Sequence, residues 1–181
     1  MEERKLVDEQ TMRRMLARLA HEIIERNEDI TQLYLVGIRR RGVPLARRIR
    51  ANIEAFSDMQ VELGELDITL YRDDLEERFD MPQLNQTLIP FDVNGKVIVL
   101  VDDVLYTGRT ARAAMDALIE LGRPAAIQLC VAVDRGHREL PISANYVGKN
   151  IPTSREEFVS VRVEEIDGCN EIAVNRRGES H

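Results

Sequence analysis

Asp102 and Asp103 stand side by side at the end of an apolar run, Ile98-Val99-Leu100-Val101, and lead into Val104-Leu105-Tyr106-Thr107-Gly108-Arg109-Thr110. Two adjacent carboxylates can accept hydrogen bonds from a sugar diol while staying close to a divalent cation. Thr107 to Thr110 falls where the next helix begins, so hydroxyls, backbone N–H groups and the helix dipole converge on one anion. Carboxylates for a ribose and an amide nest for a phosphate imply a phosphorylated sugar. Taken alone, the acidic pair also fits a strand-end turn with capping carboxylates.

Other chemistries lack their residues. The Gly-Lys pairs, Gly95-Lys96 and Gly148-Lys149, are not followed by Ser or Thr, so no P-loop exists. None of the ten glycines is two residues from another, which removes a dinucleotide fingerprint. His21, His137 and His181 are far apart, and no H-E-x-x-H, C-x-x-C or G-x-S-x-G occurs.

The elements that must hold the pair follow from periodicity. Asp8 can cap a helix to about Asn27, with Met12, Leu16, Leu19 and Ile23 as its apolar stripe and Arg14, Arg18, His21 and Glu25 opposite. Leu33 to Ile38 reads as a strand, Arg39-Arg40-Arg41-Gly42 as a tight basic loop, and the next stretch as a helix with Pro44 near its start and Leu45, Ile49, Ile53 and Phe56 inward. Leu66, Ile68 and Leu70 alternate with polar residues as in a strand with one exposed face. Arg72 to about Leu88 is polar and aperiodic, the length of a functional loop. Val97 to Val101 and Ile127 to Val133 read as buried strands, separated by a helix from about Thr110 to Leu121 that Gly122 and Pro124 stop. Asp134 to Pro152 is turn-rich, a strand lies near Phe158 to Val163, and the chain past Asp167 reads as a polar tail. Alternating strands and helices predict an α/β fold with a mainly parallel sheet flanked by helices.

At 181 residues the chain suits one domain. Its 25 basic and 32 acidic residues give a net charge of −7, which excludes coating nucleic acid through bulk charge and leaves room for a local basic patch. Only Lys5, Lys96 and Lys149 are lysine, leaving 22 arginines, a bias that suits phosphate recognition and equally suits a GC-rich genome. Two cysteines argue against a disulfide framework. No apolar run approaches the roughly 18 residues of a membrane span, so a cytoplasmic protein is expected.

The segment Ile98 to Thr110 resembles the phosphoribosyl-pyrophosphate (PRPP) signature of type I phosphoribosyltransferases, four apolar residues, two acidic ones and a T-G-x-T loop. Together with Leu35-Val36-Gly37-Ile38, Asp67 to Leu75 and Val133-Asp134-Arg135-Gly136-His137-Arg138-Glu139-Leu140-Pro141, it is similar to the PyrR family of pyrimidine-operon attenuators and uracil phosphoribosyltransferases. The likeness runs from the first helix to about Val163.

The resemblance implies a single phosphoribosyltransferase domain over 1–181 with a small hood near 134–152 and a flexible lid near 72–88 that includes Arg72. Asp102 and Asp103 would face the ribose and, through PRPP, a Mg²⁺ ion. Thr107, Gly108, Arg109 and Thr110 would hold the 5′-phosphate, Val104, Leu105 and Tyr106 would also touch substrate, and Arg39, Arg40, Arg41 and Gly42 would receive pyrophosphate. Family members commonly carry Lys-Thr-Arg-Gly there, so Arg39 and Arg40 are departures. Uracil would lie against Arg135, Tyr146 and Val147, although Tyr146 equally suits a packing role. UMP would promote binding of a leader-mRNA stem-loop through Arg14, Arg18, His21, Arg138 and Lys149, a stripe that by itself also fits a solvated face. Ser143 replaces an arginine common in the family. A homodimer or homotetramer is implied. The competing readings are a purine phosphoribosyltransferase, against which Tyr106 and Asp134 stand where an Asp and a Lys are typical, and a nucleotide-sensing RNA-binding regulator with little catalytic role.

Overall fold

The structure is a computed structural model that describes residues 3–71 and 87–176. Arg72 and nearly all of the expected lid lie outside the described residues. In chain order the elements are β1 (Glu3–Val7), α1 (Glu9–Arg26), β2 (Leu33–Ile38), α2 (Gly42–Ser57), β3 (Glu62–Leu66), β4 (Val97–Leu105), α3 (Arg109–Leu121), β5 (Ala126–Asp134), β6 (Tyr146–Asn150), β7 (Glu157–Arg162), α4 (Glu164–Asp167) and β8 (Glu171–Arg176).

β3, β2, β4, β5 and β6 form, in that order, a five-stranded sheet in which every pairing is parallel. One apolar core lies between that sheet and α1 and α2, and a second between its other face and α3. The continuous apolar character of β4 follows from this, since both faces of the strand are covered. Asp8 caps α1 by accepting the Thr11 amide at 2.8 Å, and Met12, Leu16, Leu19 and Ile23 are all buried. Two parallel strands joined by a helix place their carboxyl ends on one edge, so the loops after β2, β4 and β5 meet there.

Several elements differ from expectation. β4 runs four residues past Val101, so Asp102 and Asp103 belong to the strand and are not a turn after it. β3 ends at Leu66. Asp67 then accepts the Thr69 amide at 2.9 Å and its hydroxyl at 2.6 Å, which turns the chain into a short 3-10 segment at Thr69–Tyr71 in place of the expected strand. Phe56 is 45% exposed, stacked on His21 with ring centroids 4.0 Å apart. The turn-rich stretch contains β6. The polar tail contains β8, which pairs with β1 and β7 in a separate antiparallel sheet whose Val161, Ile172 and Val174 join the α1–α2 core.

Candidate active site

β4 carries the acidic pair to the carboxyl edge of the parallel sheet, where Asp102 is 9% exposed. The Asp103 amide donates to Asp102 Oδ1 at 2.9 Å and the Val104 amide to Asp103 Oδ1 at 2.8 Å, so backbone amides orient both carboxylates. The chain then rounds a loop in which Gly108 has φ 93°, a left-handed conformation that a residue with a side chain adopts only with strain. The Arg109 amide donates to Thr107 Oγ1 at 3.3 Å at the start of α3. A cavity of about 130 Å³ lies under the loop, lined by Asp102, the stretch from Val104 to Gly108, Thr110 and Val131. Carboxylate, hydroxyls and a helix start thus border one space.

The loop after β2 packs beside the acidic pair. A Cβ at Gly42 would collide with the Val101 carbonyl, one residue before Asp102, so a glycine lets the loop approach β4 this closely. The Arg39–Arg40 peptide is cis. The three guanidinium groups are not equivalent. Arg39 donates to Glu65 Oε2 at 3.1 Å, and Arg41 is gripped by Asp167 through Nε at 3.1 Å and Nη2 at 2.6 Å. The Arg41 hydrogen bond holds the Asp167 carboxyl below the usual carboxylate range. Arg40 is exposed, and its side chain makes no hydrogen bond or ion pair among the described residues. Of the three guanidinium groups expected to meet pyrophosphate, two are thus paired with carboxylates in this structure. Glu65 and Asp167 carried no local signal, since each gains its meaning from a partner distant in sequence.

The segment after β5 closes the third side. Arg135 is 7% exposed, and its guanidinium donates to Thr153 Oγ1 at 2.9 Å and to the Glu157 carbonyl at 2.7 Å while lying 4.0 Å over the Tyr106 ring. Burial pushes its pKa down. Its donors serve the 153–157 segment, so it supports the Tyr106 ring. Arg138 donates to the Tyr106 and Ile142 carbonyls, both at 2.8 Å, and pairs with Asp134. It ties the 106–110 loop to the 134–142 segment. Val147 packs on the core beside Val131, its partner in β5.

Tyr146 stands level with Cys130 on β5 and, through it, with Val101 on β4. It is 3% exposed at the amino end of β6, and its hydroxyl donates to Gln128 Oε1 at 2.7 Å and accepts from Asn27 Nδ2 at 3.2 Å. Its one polar atom is thus paired near the end of α1, the arrangement of the packing role that the sequence equally allowed.

On the outer face of α1, Arg14, Arg18 and His21 are exposed as expected. Arg18 pairs with Glu22 at 2.7 Å and donates to the Gly148 carbonyl at 2.5 Å, which brings it next to exposed Lys149 on β6.

The chain matches the phosphoribosyl transferase domain over residues 4–166. It is 63% identical to bifunctional protein PyrR of Thermus aquaticus over 168 residues, 93% of either chain. It is 60% identical to bifunctional protein PyrR of Clostridium novyi over 169 residues, 93% of this chain and 95% of the relative. A hypoxanthine phosphoribosyltransferase of Staphylococcus aureus has the same fold, with a TM-score of 0.72 at 19% identity over 97% of this chain and 93% of the other. Fold and site together define a type I phosphoribosyltransferase. Within that class, the chain belongs to the PyrR family.

Phosphoribosyltransferases generally use Mg²⁺ with PRPP. The hard oxygen donors Asp102 and Asp103 suit that ion. Among the described residues no three His, Cys, Asp or Glu side chains converge on one point. No described helix is long and apolar enough to cross a membrane.

Proposed function

We propose that the chain transfers the phosphoribosyl group of PRPP to uracil, giving UMP and pyrophosphate, and that UMP-bound protein binds a stem-loop in pyrimidine-operon leader RNA. The observation that carries this reading is the delivery of Asp102 and Asp103 by one strand into a loop that starts a helix, in a chain of the PyrR family.

As pyrophosphate leaves C1′ of the ribose, positive charge grows on the ring, so positioning and neutralisation of the leaving group supply most of the rate. Asp102 and Asp103 accept the ribose hydroxyls and keep the sugar face fixed. The hydroxyls and amides of Thr107 to Thr110 hold the 5′-phosphate. The loop from Arg39 to Gly42 meets the leaving group, and the ring of Tyr106, backed by Arg135, borders the base. Bound with PRPP, Mg²⁺ would supply further neutralisation of the pyrophosphate, and Asp102 and Asp103 are the residues that would face it through PRPP. No side chain is assigned as a general base.

Incubation with PRPP, uracil and Mg²⁺ tests the reaction. UMP should form with the divalent cation and not in EDTA; equal turnover in both would contradict the reading. For the regulatory half, a pyrimidine-leader stem-loop should bind more tightly with UMP than without it. Absence of binding by UMP-saturated protein at low salt would remove that half.

A further inference from the structure

The Tyr106 ring is held on two sides by residues that follow β5. Arg135 lies 4.0 Å over its face, and His137 meets its edge with ring centroids 5.9 Å apart. Both partners converge on one residue. Arg135 Nε donates to Thr153 Oγ1 at 2.9 Å, and His137 Nε2 lies 2.6 Å from the Thr153 carbonyl oxygen. A carbonyl only accepts, so His137 carries its proton on Nε2 and donates there. Gly136 has φ 81° and His137 φ 64°, a left-handed pair that is uncommon for histidine and that the surroundings must hold in place. Beyond Thr153 the chain is tied down as well: the Ser154 amide donates to Glu157 Oε2 at 2.8 Å, and the Ser154 and Glu157 carbonyls accept Arg135 Nη2 at 3.2 and 2.7 Å.

A ring that borders a planar base must keep its tilt, because aromatic contacts depend on the angle between the two planes. The backbone of Tyr106 is fixed separately, its carbonyl accepting Arg138 Nη1 at 2.8 Å. The angle of the ring is therefore left to Arg135 and His137. Thr153 does not line the cavity that Tyr106 borders, so its reach into the site runs through those two residues. We propose that Thr153 is a positioning residue for the base: with its hydroxyl on Arg135 and its carbonyl on His137, it sets the angle of the Tyr106 ring. The loop that leads into β7, and with it the small antiparallel sheet, thereby serves a site built on the parallel sheet. This proposal rests on the reading that the Tyr106 ring borders uracil.

Steady-state kinetics of UMP synthesis tests it, with the KM for uracil and the KM for PRPP measured separately. Thr153→Val keeps the carbonyl and the side-chain shape and removes the hydroxyl. It should raise the KM for uracil about fivefold, with the KM for PRPP unchanged within about twofold. Thr153→Ala, which sets no added methyl against the Arg135 guanidinium, should do the same, and Thr153→Ser should restore the wild-type value. Because Thr153 acts through the ring, Thr153→Val should add nothing in a Tyr106→Leu background. A uracil KM unchanged in both Thr153→Val and Thr153→Ala, or raised as much by Thr153→Val in the Tyr106→Leu background as in wild type, would overturn the proposal. Tyr106→Leu with an unchanged KM for uracil would instead remove the reading on which the proposal rests, and the proposal with it, so the two failures are distinguishable.

Discussion

The guanidinium of Arg135 lies 4.0 Å over the ring of Tyr106, joining the chain after β5 to the loop after β4 at the mouth of the cavity. Tyr106 is 38% exposed and also meets His137 edge-on, with ring centroids 5.9 Å apart. The loop after β4 and the segment after β5 are therefore joined through one buried cation.

Replacing Arg135 with alanine should destabilise the protein by about 2–3 kcal/mol, since three part-buried hydrogen bonds from its guanidinium to Thr153, Ser154 and Glu157 are lost. Chemical denaturation measures this. The KM for uracil should rise in the same variant as Tyr106 loses its support, whereas an unchanged KM would separate the ring from the base.

Asp102→Asn and Asp103→Asn should each lower activity at least about tenfold, or roughly 1.4 kcal/mol, without lowering the melting temperature. Both carboxylates accept backbone amides that an amide oxygen can also accept, so the fold should survive. Full activity in both variants would reduce the pair to a structural device.

The acid limb of stability should carry the signature of Asp167. Its carboxyl is held low chiefly by the hydrogen bond from Arg41. A depressed folded pKa contributes stability that is fully present above the unfolded value, about 3.9, and is lost as pH falls through the folded one. Melting temperatures of wild type and Asp167→Asn should therefore differ most near neutrality and converge below about pH 4. A constant difference across that range would mean that the pair does not titrate as described.

Arg14→Ala should weaken leader-RNA binding and lower the salt slope of log affinity by about 0.7 to 0.9, uniformly across RNA sequences. Arg18→Ala should do more, because Arg18 also grips the Gly148 carbonyl next to Lys149. UMP synthesis should persist in Arg14→Ala. Arg138→Ala should impair both activities, since Arg138 holds the Tyr106 carbonyl.

The parallel core was legible because its signals are local. An apolar run for β4, a 3.6-residue stripe for α1 and the T-G-x-T loop at the start of α3 each announce themselves within a dozen residues. β1 and β8 did not. Glu3-Arg4-Lys5-Leu6-Val7 has no alternation, and its partner lies at Glu171–Arg176, almost the whole chain away. β6, Tyr146-Val147-Gly148-Lys149-Asn150, is an edge strand rich in residues that strands usually avoid. Within the site, residue types located the acidic pair and the phosphate loop. They could not separate a tyrosine beside a base from one paired with Gln128, nor a free arginine from one held by Asp167, since both distinctions depend on tertiary neighbours.

The ratio of kcat/KM for uracil to that for hypoxanthine, guanine and orotate, measured with PRPP and Mg²⁺, tests the central claim most directly. Tyr106, packed under Arg135 beside the cavity, stands where a purine site typically has an Asp, and Asp134, engaged by Arg138, stands where it typically has a Lys. The account predicts that uracil is preferred over every other base by at least about 100-fold. A preference for hypoxanthine or guanine would contradict it.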